Sequence, residues 1–391
     1  MVHQITFEEL LQGQNACAAS YEENPVSAFV KNGEINIPEV KFSILKEQFS
    51  EEELILFITK EILAGRIELP MKKYTIDDAA ESFMKLKNYH AELKHGEVFT
   101  RYEYQYPLSQ TYMDCPTFGN IASDYFHQRS RWAADSLVSP SPVRTWCSEK
   151  FLHSALGGLF SMKMKDVNTV SLRSCLSLRK YIASQFKPTV AKAIYDMYKP
   201  TSVLDFCSGW GDRLCGFYAS EVPDVYVGID PNTWLRDGYR EQMTFYESLS
   251  RKKTANIITA PAEDVLLLDQ TFDLVFTSPP YFNIEKYTDE ETQSYKRYKD
   301  IDTWTTRFLF RAIENAWKAL KSGGTMLINI SDVYSGHQIQ RICDPMNDFM
   351  MQLGGKYDGC IGMKMSKRPN SKASANGVFV EPIWIWKKEL C

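Results

Sequence analysis

Ser202-Val203-Leu204-Asp205-Phe206-Cys207-Ser208-Gly209-Trp210-Gly211-Asp212-Arg213-Leu214 is the stretch that decides the fold of this chain. Ser202–Phe206 reads as a short strand covered on both faces, because its apolar residues run almost without a break. Cys207 opens a turn built on Gly209 and Gly211, and a helix follows. A strand, a glycine turn and a helix in that order let the backbone come close to a ligand. A lone Gly-x-Gly is equally compatible with a plain tight turn, so the flanking segments have to decide. Val225–Ile229 forms a second strand that ends in Asp230, nineteen residues after Gly211. A carboxylate at that spacing accepts hydrogen bonds from ribose hydroxyls. A third strand, Asn256–Thr259, leads to Pro261-Ala262-Glu263-Asp264, where a carboxylate is expected to meet an adenine amino group. The phosphate-cradling G-x-x-x-x-G-K-[ST] pattern is absent from the sequence. Lys321–Gly324 reads as a turn between an amphipathic helix, Trp304–Leu320, and a strand, Thr325–Ile330.

A second landmark is Thr277-Ser278-Pro279-Pro280-Tyr281, which follows the strand-like Phe272–Phe276 and precedes Phe282-Asn283. Two prolines after a buried strand stop its ladder and stiffen the backbone. Such a turn can hold a hydroxyl, a carbonyl and a ring face around one flat polar group. We read that group as the exocyclic amino group of a nucleobase. Its nitrogen is a poor nucleophile, because the lone pair is delocalised into the ring. The Ser278 side chain and the Pro279 carbonyl are expected to accept its two N–H bonds, turning the lone pair towards an electrophile. Tyr281 is expected to stack on the base, with Phe282 as a second wall and Asn283 beside it. That chemistry needs positioning and charge stabilisation, and neither a metal nor a covalent intermediate. A base in duplex DNA would have to be flipped out first. Methylation through a cysteine nucleophile, typically in Pro-Cys, is not indicated, since the chain has only the reversed Cys115-Pro116. The Cys207 and Cys215 thiols read as small packing groups rather than nucleophiles.

These motifs resemble a known family. Val203-Leu204-Asp205-x-x-x-Gly209-x-Gly211 resembles the cofactor motif of class I S-adenosylmethionine-dependent methyltransferases. Ser278-Pro279-Pro280-Tyr281 resembles the catalytic motif of the exocyclic-amino DNA methyltransferases, in the form often seen in N4-cytosine enzymes. Phe186-Lys187-Pro188 resembles the segment before the cofactor strand, and Phe379–Trp386 the terminal strand. The resemblance covers about residues 170–391. It departs at Trp210-Gly211-Asp212, where the family commonly has Ser-Gly-Thr. It implies an α/β fold with a Rossmann-like, seven-stranded, mostly parallel sheet flanked by helices, with one strand antiparallel. It also implies S-adenosyl-L-methionine as cofactor. The cofactor-binding residues carried over or read from spacing are Phe186, Pro188, Asp205, Cys207, Gly209, Gly211, Asp230, Glu263, Asp264 and Thr277. Asp205 is also suited to orienting the glycine turn.

The N-terminal part reads differently. Ser50-x-x-Glu53 and Thr6-x-x-Glu9 are capping-box patterns, and Thr75 precedes another amphipathic helix. We expect a mainly helical domain over 1–160, a candidate for target recognition, and a methyltransferase domain over 161–391. Residues 1–60 carry ten glutamates against four lysines, which disfavours phosphate contact there. Basic and aromatic residues interleave over 84–150. Residues 161–200 hold eight Lys and Arg against two Asp, making that run the preferred phosphate-contacting edge. The net charge of −4 means that any basic surface is local. Nine scattered cysteines without C-x-x-C point to reduced thiols in an intracellular protein, and the six isolated histidines suggest no metal site. The opening Met1-Val2-His3-Gln4 has no apolar leader run, and no membrane span is expected.

The resulting expectation is methyl transfer to an exocyclic amino group in DNA, cytosine N4 before adenine N6. RNA or a protein amide as acceptor, and a non-catalytic nucleic-acid-binding protein that keeps the fold, are the alternatives. The oligomeric state is left open.

Overall fold

A computed structural model describes residues 24–366 and 377–390. The Thr6–Glu9 capping pattern and the Met1–Gln4 opening lie outside the described residues. The chain divides into two compact units, Met1–Lys73 with Arg129–Ala183, and Tyr74–Gln128 with Ser184–Cys391. This division differs from the single boundary expected near residue 160, because residues 74–128 pack with the large sheet.

The first unit is mainly helical. Ser50 caps the helix Glu51–Leu63, and the Glu53 carboxylate accepts the Ser50 backbone N–H at 2.8 Å in return. Such a reciprocal cap satisfies two otherwise orphan donors. Ile58, Trp146, Leu152 and Leu172 meet in the unit's core. Glu61, fully buried, is held by Arg66 at 2.6 Å and by Asn24 and Ser27 at 2.7 Å. A buried carboxylate needs that many partners to offset its lost hydration. The basic run of 161–200 is divided between the units, and part of it is engaged internally. Arg173 donates to the carbonyl of Pro70 at 2.8 Å, and Arg179 to Ser161 at 2.8 Å. Lys192 is buried against Asp196 and the Tyr89 carbonyl. Three of its eight cations are thus committed to partners within the protein.

The second unit is built on one sheet. Nine of its strands in chain order are β1 (Leu93–His95), β2 (Thr111–Met113), β3 (Ser202–Asp205), β4 (Val225–Ile229), β5 (Thr254–Ile258), β6 (Phe272–Thr277), β7 (Leu320–Asn329), β8 (Gly355–Lys364) and β9 (Val378–Lys388), and a short tenth, Val98–Phe99, pairs in parallel with the start of β9. The nine lie in the order β5-β4-β3-β6-β7-β9-β8-β2-β1. From β5 to β7 all neighbours are parallel. β9 runs antiparallel to both β7 and β8. The stretch from β5 to β8 is the expected seven-stranded, mostly parallel sheet. β1 and β2 extend it, with Tyr112 of β2 opposite Gly362 of β8. The N-terminal segment, expected to be mainly helical, thus supplies three strands to this sheet.

Helices cover the sheet: α1 (Ile76–Lys87), α2 (Pro188–Tyr198), α3 (Asp212–Ala219), α4 (Arg236–Leu249), α5 (Phe310–Ala319) and α6 (Cys343–Gln352). Pro188 starts α2, where its fixed φ suits a first helical turn. α2 and α3 pack closely at Gly216, where a Cβ would stand 2.6 Å from the Ala191 Cβ. Leu204, Phe206, Val275, Ile328 and Trp384 lie in the buried core. The helix expected from Trp304 contains a π-helical stretch, Trp304–Leu309, before α5. β7 begins at Leu320, earlier than expected, and Lys321–Gly324 is an irregular part of the strand rather than a free turn. Lys321 pairs with Asp273 at 2.7 Å and the Ser322 N–H donates to Gln270 at 2.7 Å, which keeps these residues alongside β6. Among the described residues no helix is long and apolar enough to cross a membrane.

Candidate active site

β3 and β6 are parallel neighbours, so the turns that follow them emerge at the same end of the sheet. The connections lead outward in opposite directions from this pair, the arrangement in which open α/β sheets form a ligand crevice. A single bond ties the two turns together. The Cys207 N–H donates to the Thr277 Oγ1 at 3.0 Å. Thr277 is fully buried, so its hydroxyl fixes the glycine turn from beneath.

The glycine turn needs its glycines. Gly209 and Gly211 have φ of 57° and 71°, the left-handed region that favours glycine. A Cβ on Gly209 would meet open space, whereas one on Gly211 would lie 2.1 Å from Gln242 Oε1. Gly209 thus presents bare backbone outward, and Gly211 permits the close packing behind it. Asp205 is buried beneath the turn. It accepts from Arg213 Nε at 2.8 Å and from the Tyr226 hydroxyl at 2.6 Å. Arg213 also donates to the Cys207 carbonyl and stacks over the Phe186 ring at 5.0 Å. Asp205 therefore orients the turn and does not border the cavity.

Asp230, at the end of β4, accepts from the Gly209 N–H at 2.9 Å and from the Asn232 N–H at 2.9 Å. Part of its surface opens on the cavity. The protein packed around it nevertheless pushes its carboxyl up to about 7, although both backbone bonds favour the charged form. Burial raises the Cys207 thiol well above its ordinary value, which makes it a packing group.

On the other side stands the diproline turn. Ser278 Oγ donates to Asn329 Oδ1 at 3.2 Å. The Asn329 amide is fixed from behind by its bond to the Pro382 carbonyl at 3.1 Å. With its proton directed to Asn329, Ser278 keeps acceptor lone pairs for a ligand. The Tyr281 hydroxyl donates to Glu381 Oε1 on β9. Phe282 adopts φ 51°, an uncommon conformation for a bulky residue. The twist sends its ring into the core, edge-on to Trp304 at 5.9 Å. Phe282 is therefore a core residue and not the second wall of a base pocket. Asn283 accepts from Ser335 at 3.0 Å, away from the cavity.

One cavity of about 420 Å³ joins both turns, within the range of small-molecule sites. Phe186, Cys207, Gly209, Asp230, Ser278, Pro279 and Tyr281 line it. Pro188, Gly211, Glu263, Asp264, Thr277 and Pro280 do not. Arg297 holds Glu263 at 2.6 Å and Asp264 at 2.8 Å, and the Tyr298 hydroxyl adds a bond to Glu263 at 3.1 Å. These bonds engage the carboxylate that the spacing assigned to an adenine amino group. Sequence reasoning gave no role to several residues that do line the cavity, among them Gln185, Trp210, Glu285, Tyr287, Asn329 and Glu381. Trp210 meets Tyr287 edge-on at 5.4 Å and donates to the Ser184 carbonyl at 3.2 Å. Among the described residues no group of three or more His, Cys, Asp or Glu is placed to hold a metal ion.

The cradle suits a nucleoside with a cationic centre. Bare backbone at Gly209 admits a close approach, Asp230 offers an acceptor, and carboxylates and aromatic faces share the walls. No curated protein matches the chain. Among solved structures, a SAM-dependent methyltransferase from Thermotoga maritima is 13% identical over 51% of this chain and 92% of its own, with a TM-score of 0.30. The tRNA (m1A58) methyltransferase TrmI from Aquifex aeolicus is 12% identical over 53% and 70%, with a TM-score of 0.33. Residues 272–389 match the family described as DNA methylase (N6_N4_Mtase). The chain thus resembles the class I S-adenosylmethionine-dependent methyltransferases of the exocyclic-amino type, and S-adenosylmethionine is the cofactor that goes with that likeness.

Proposed function

We propose that this protein transfers a methyl group from S-adenosylmethionine to an exocyclic amino group of a DNA base, cytosine N4 before adenine N6. The observation that carries this reading is the shared cavity. Ser278, Pro279 and Tyr281 open on the same space as Gly209 and Asp230. S-adenosylmethionine supplies an activated methyl on a sulfonium. Gly209 and Asp230 would hold its nucleoside, and Phe186 and Trp210 would exclude water around it. Ser278 and the Pro279 carbonyl accept the amino hydrogens, and Tyr281 offers its ring face to the base. Catalysis then rests on orientation and on acceptors for positive charge developing on nitrogen. The match of residues 272–389 to a DNA methylase family favours a nucleic acid over a protein amide. Incubation with unmodified plasmid DNA, total RNA or protein extract and labelled S-adenosylmethionine, followed by digestion and mass spectrometry, tests the proposal. N4-methylcytosine or N6-methyladenine in DNA is the expected product, and label confined to RNA or protein would refute it.

Cofactor affinity should depend on pH through Asp230. Its carboxyl is raised from 3.8 to about 7, so the native state holds a proton that an unfolded chain releases earlier. The stability that this proton contributes is lost as pH rises towards 7. A ribose hydroxyl donates a stronger, charge-assisted bond to the ionised form. Affinity should therefore rise with pH through about 7 and then level off. Asp230→Asn should bind more weakly above that pH and lose the dependence. Calorimetric titration of S-adenosylmethionine between pH 6 and pH 8.5 reads both effects.

A further inference from the structure

Methyl transfer to an amino nitrogen leaves that nitrogen cationic and still holding a proton that must go. In the diproline turn, Ser278, Pro279 and Pro280 carry no group able to take it. The Tyr281 hydroxyl is already donating to Glu381, and burial pushes it well above its ordinary value, so it is a poor source of charge. Four carboxylates border the cavity. Asp230 holds the glycine turn, and Asp212 is bonded by Ser123 and, at 3.3 Å, by Gln185, both at the nucleoside end. Glu285 and Glu381 lie close to the Tyr281 hydroxyl. Of these two, Glu285 accepts from the Tyr287 hydroxyl at 2.5 Å, and Glu381 accepts from Tyr281 itself.

Glu381 is also held rigidly. Its strand is paired on both sides, with Met363 opposite Glu381 on β8 and Asn329 opposite Ile383 on β7. Asn329 links Ser278 to the backbone carbonyl next to Glu381, that of Pro382. Ser278, Asn329, Glu381 and Tyr281 thus form one connected polar wall.

Resting on the reading above, we propose that Glu381 is the catalytic proton acceptor of the methyl-transfer reaction. The amino lone pair forms the new N–C bond while the C–S bond breaks and its electron pair stays on sulfur. The proton then leaves nitrogen for the Glu381 carboxylate, the N–H pair remains as the nitrogen lone pair, and neutral methylamino base results. No further reactant is needed. The titratable groups facing Glu381 are Tyr281 and Glu285, while β8 presents Met363 and β7 the neutral Asn329. Burial raises the Glu381 carboxyl first, Glu285 adds to that, and the bonds from Tyr281 and Asn329 act against it. A raised carboxyl makes a stronger base once ionised, and it must be ionised to act.

Glu381→Gln separates this role from mere positioning, since a glutamine oxygen still accepts from Tyr281. In single-turnover assays on plasmid DNA with labelled S-adenosylmethionine held at a saturating concentration at every pH, which removes the Asp230 effect on affinity, wild type should show a rate that climbs with pH and reaches a plateau. Glu381→Gln should be slower by about 10²-fold at the plateau and should lack that climb, with cofactor and DNA binding unchanged. Glu285→Gln removes the neighbouring like charge and should move the climb to lower pH. A Glu381→Gln rate close to wild type, or a climb that survives in it or stays in place in Glu285→Gln, overturns the role while leaving the proposed function standing. Wild type that methylates no DNA overturns the proposed function, and this role with it.

Discussion

Ser278→Ala slows methyl transfer by about 10²–10³-fold while S-adenosylmethionine still binds, in the range measured for loss of one preorganised polar partner of a transition state. The reason lies in how the hydroxyl is aimed. Its proton points to Asn329, whose own amide is fixed by the Pro382 carbonyl. The lone pairs on Ser278 are thereby set before any acceptor arrives. An amino hydrogen that meets no acceptor leaves nitrogen flat and its lone pair in the ring. Asn329 and its bond to Pro382 survive the substitution, so the cavity keeps its shape. Tyr281→Ala should be at least as damaging, because it removes the ring face and also releases Glu381 from its hydroxyl partner. Filter-binding assays of labelled DNA, run beside cofactor calorimetry, check both variants. Unchanged methylation by the two would remove the diproline turn from the mechanism.

Arg213→Ala destabilises the second unit by about 3–5 kcal/mol, the usual consequence of breaking a buried ion pair from one side. Arg213 and Asp205 are 3% and 0% exposed, which leaves the carboxylate no route to water. The Tyr226 hydroxyl at 2.6 Å is a neutral partner and cannot replace a guanidinium. The damage reaches the ligand as well, because Arg213 holds the Cys207 carbonyl at the start of the glycine turn. Replacing the pair together, Asp205→Leu with Arg213→Met, should recover much of the stability but not the cofactor affinity. Urea denaturation and cofactor titration of the three proteins separate those effects. Equal cofactor binding in all of them would mean that the pair serves packing alone.

What the sequence made legible was local. The Ser202–Leu214 run, Asp230 and the diproline turn each carry their signal within a few residues, and the fold brings them to one cavity. Two kinds of feature were illegible. β1 and β2 are three residues long and exist because β8 offers an edge, so no periodicity announces them. The polar wall of the site is convergent. Ser278, Asn329 and Glu381 lie on separate strands and turns, about fifty residues apart in sequence, and only the sheet order makes them neighbours. Phe282 shows a third limit. An aromatic after Tyr281 invited a stacking role, but a positive φ turned the ring inward. Glu263 was placed by spacing, and Arg297, thirty-four residues later, engages it.

The placement of β9 between β7 and β8 also sets how the site breathes. Amides of a strand laddered on both sides exchange with solvent only when a large cooperative part of the structure opens. Ile383, Trp384 and Ile385 are in that position, paired with both neighbours or adjacent to residues that are. Deuterium uptake should therefore be slowest along the strand that carries Glu381. The proton acceptor would then ride on the stillest part of the molecule.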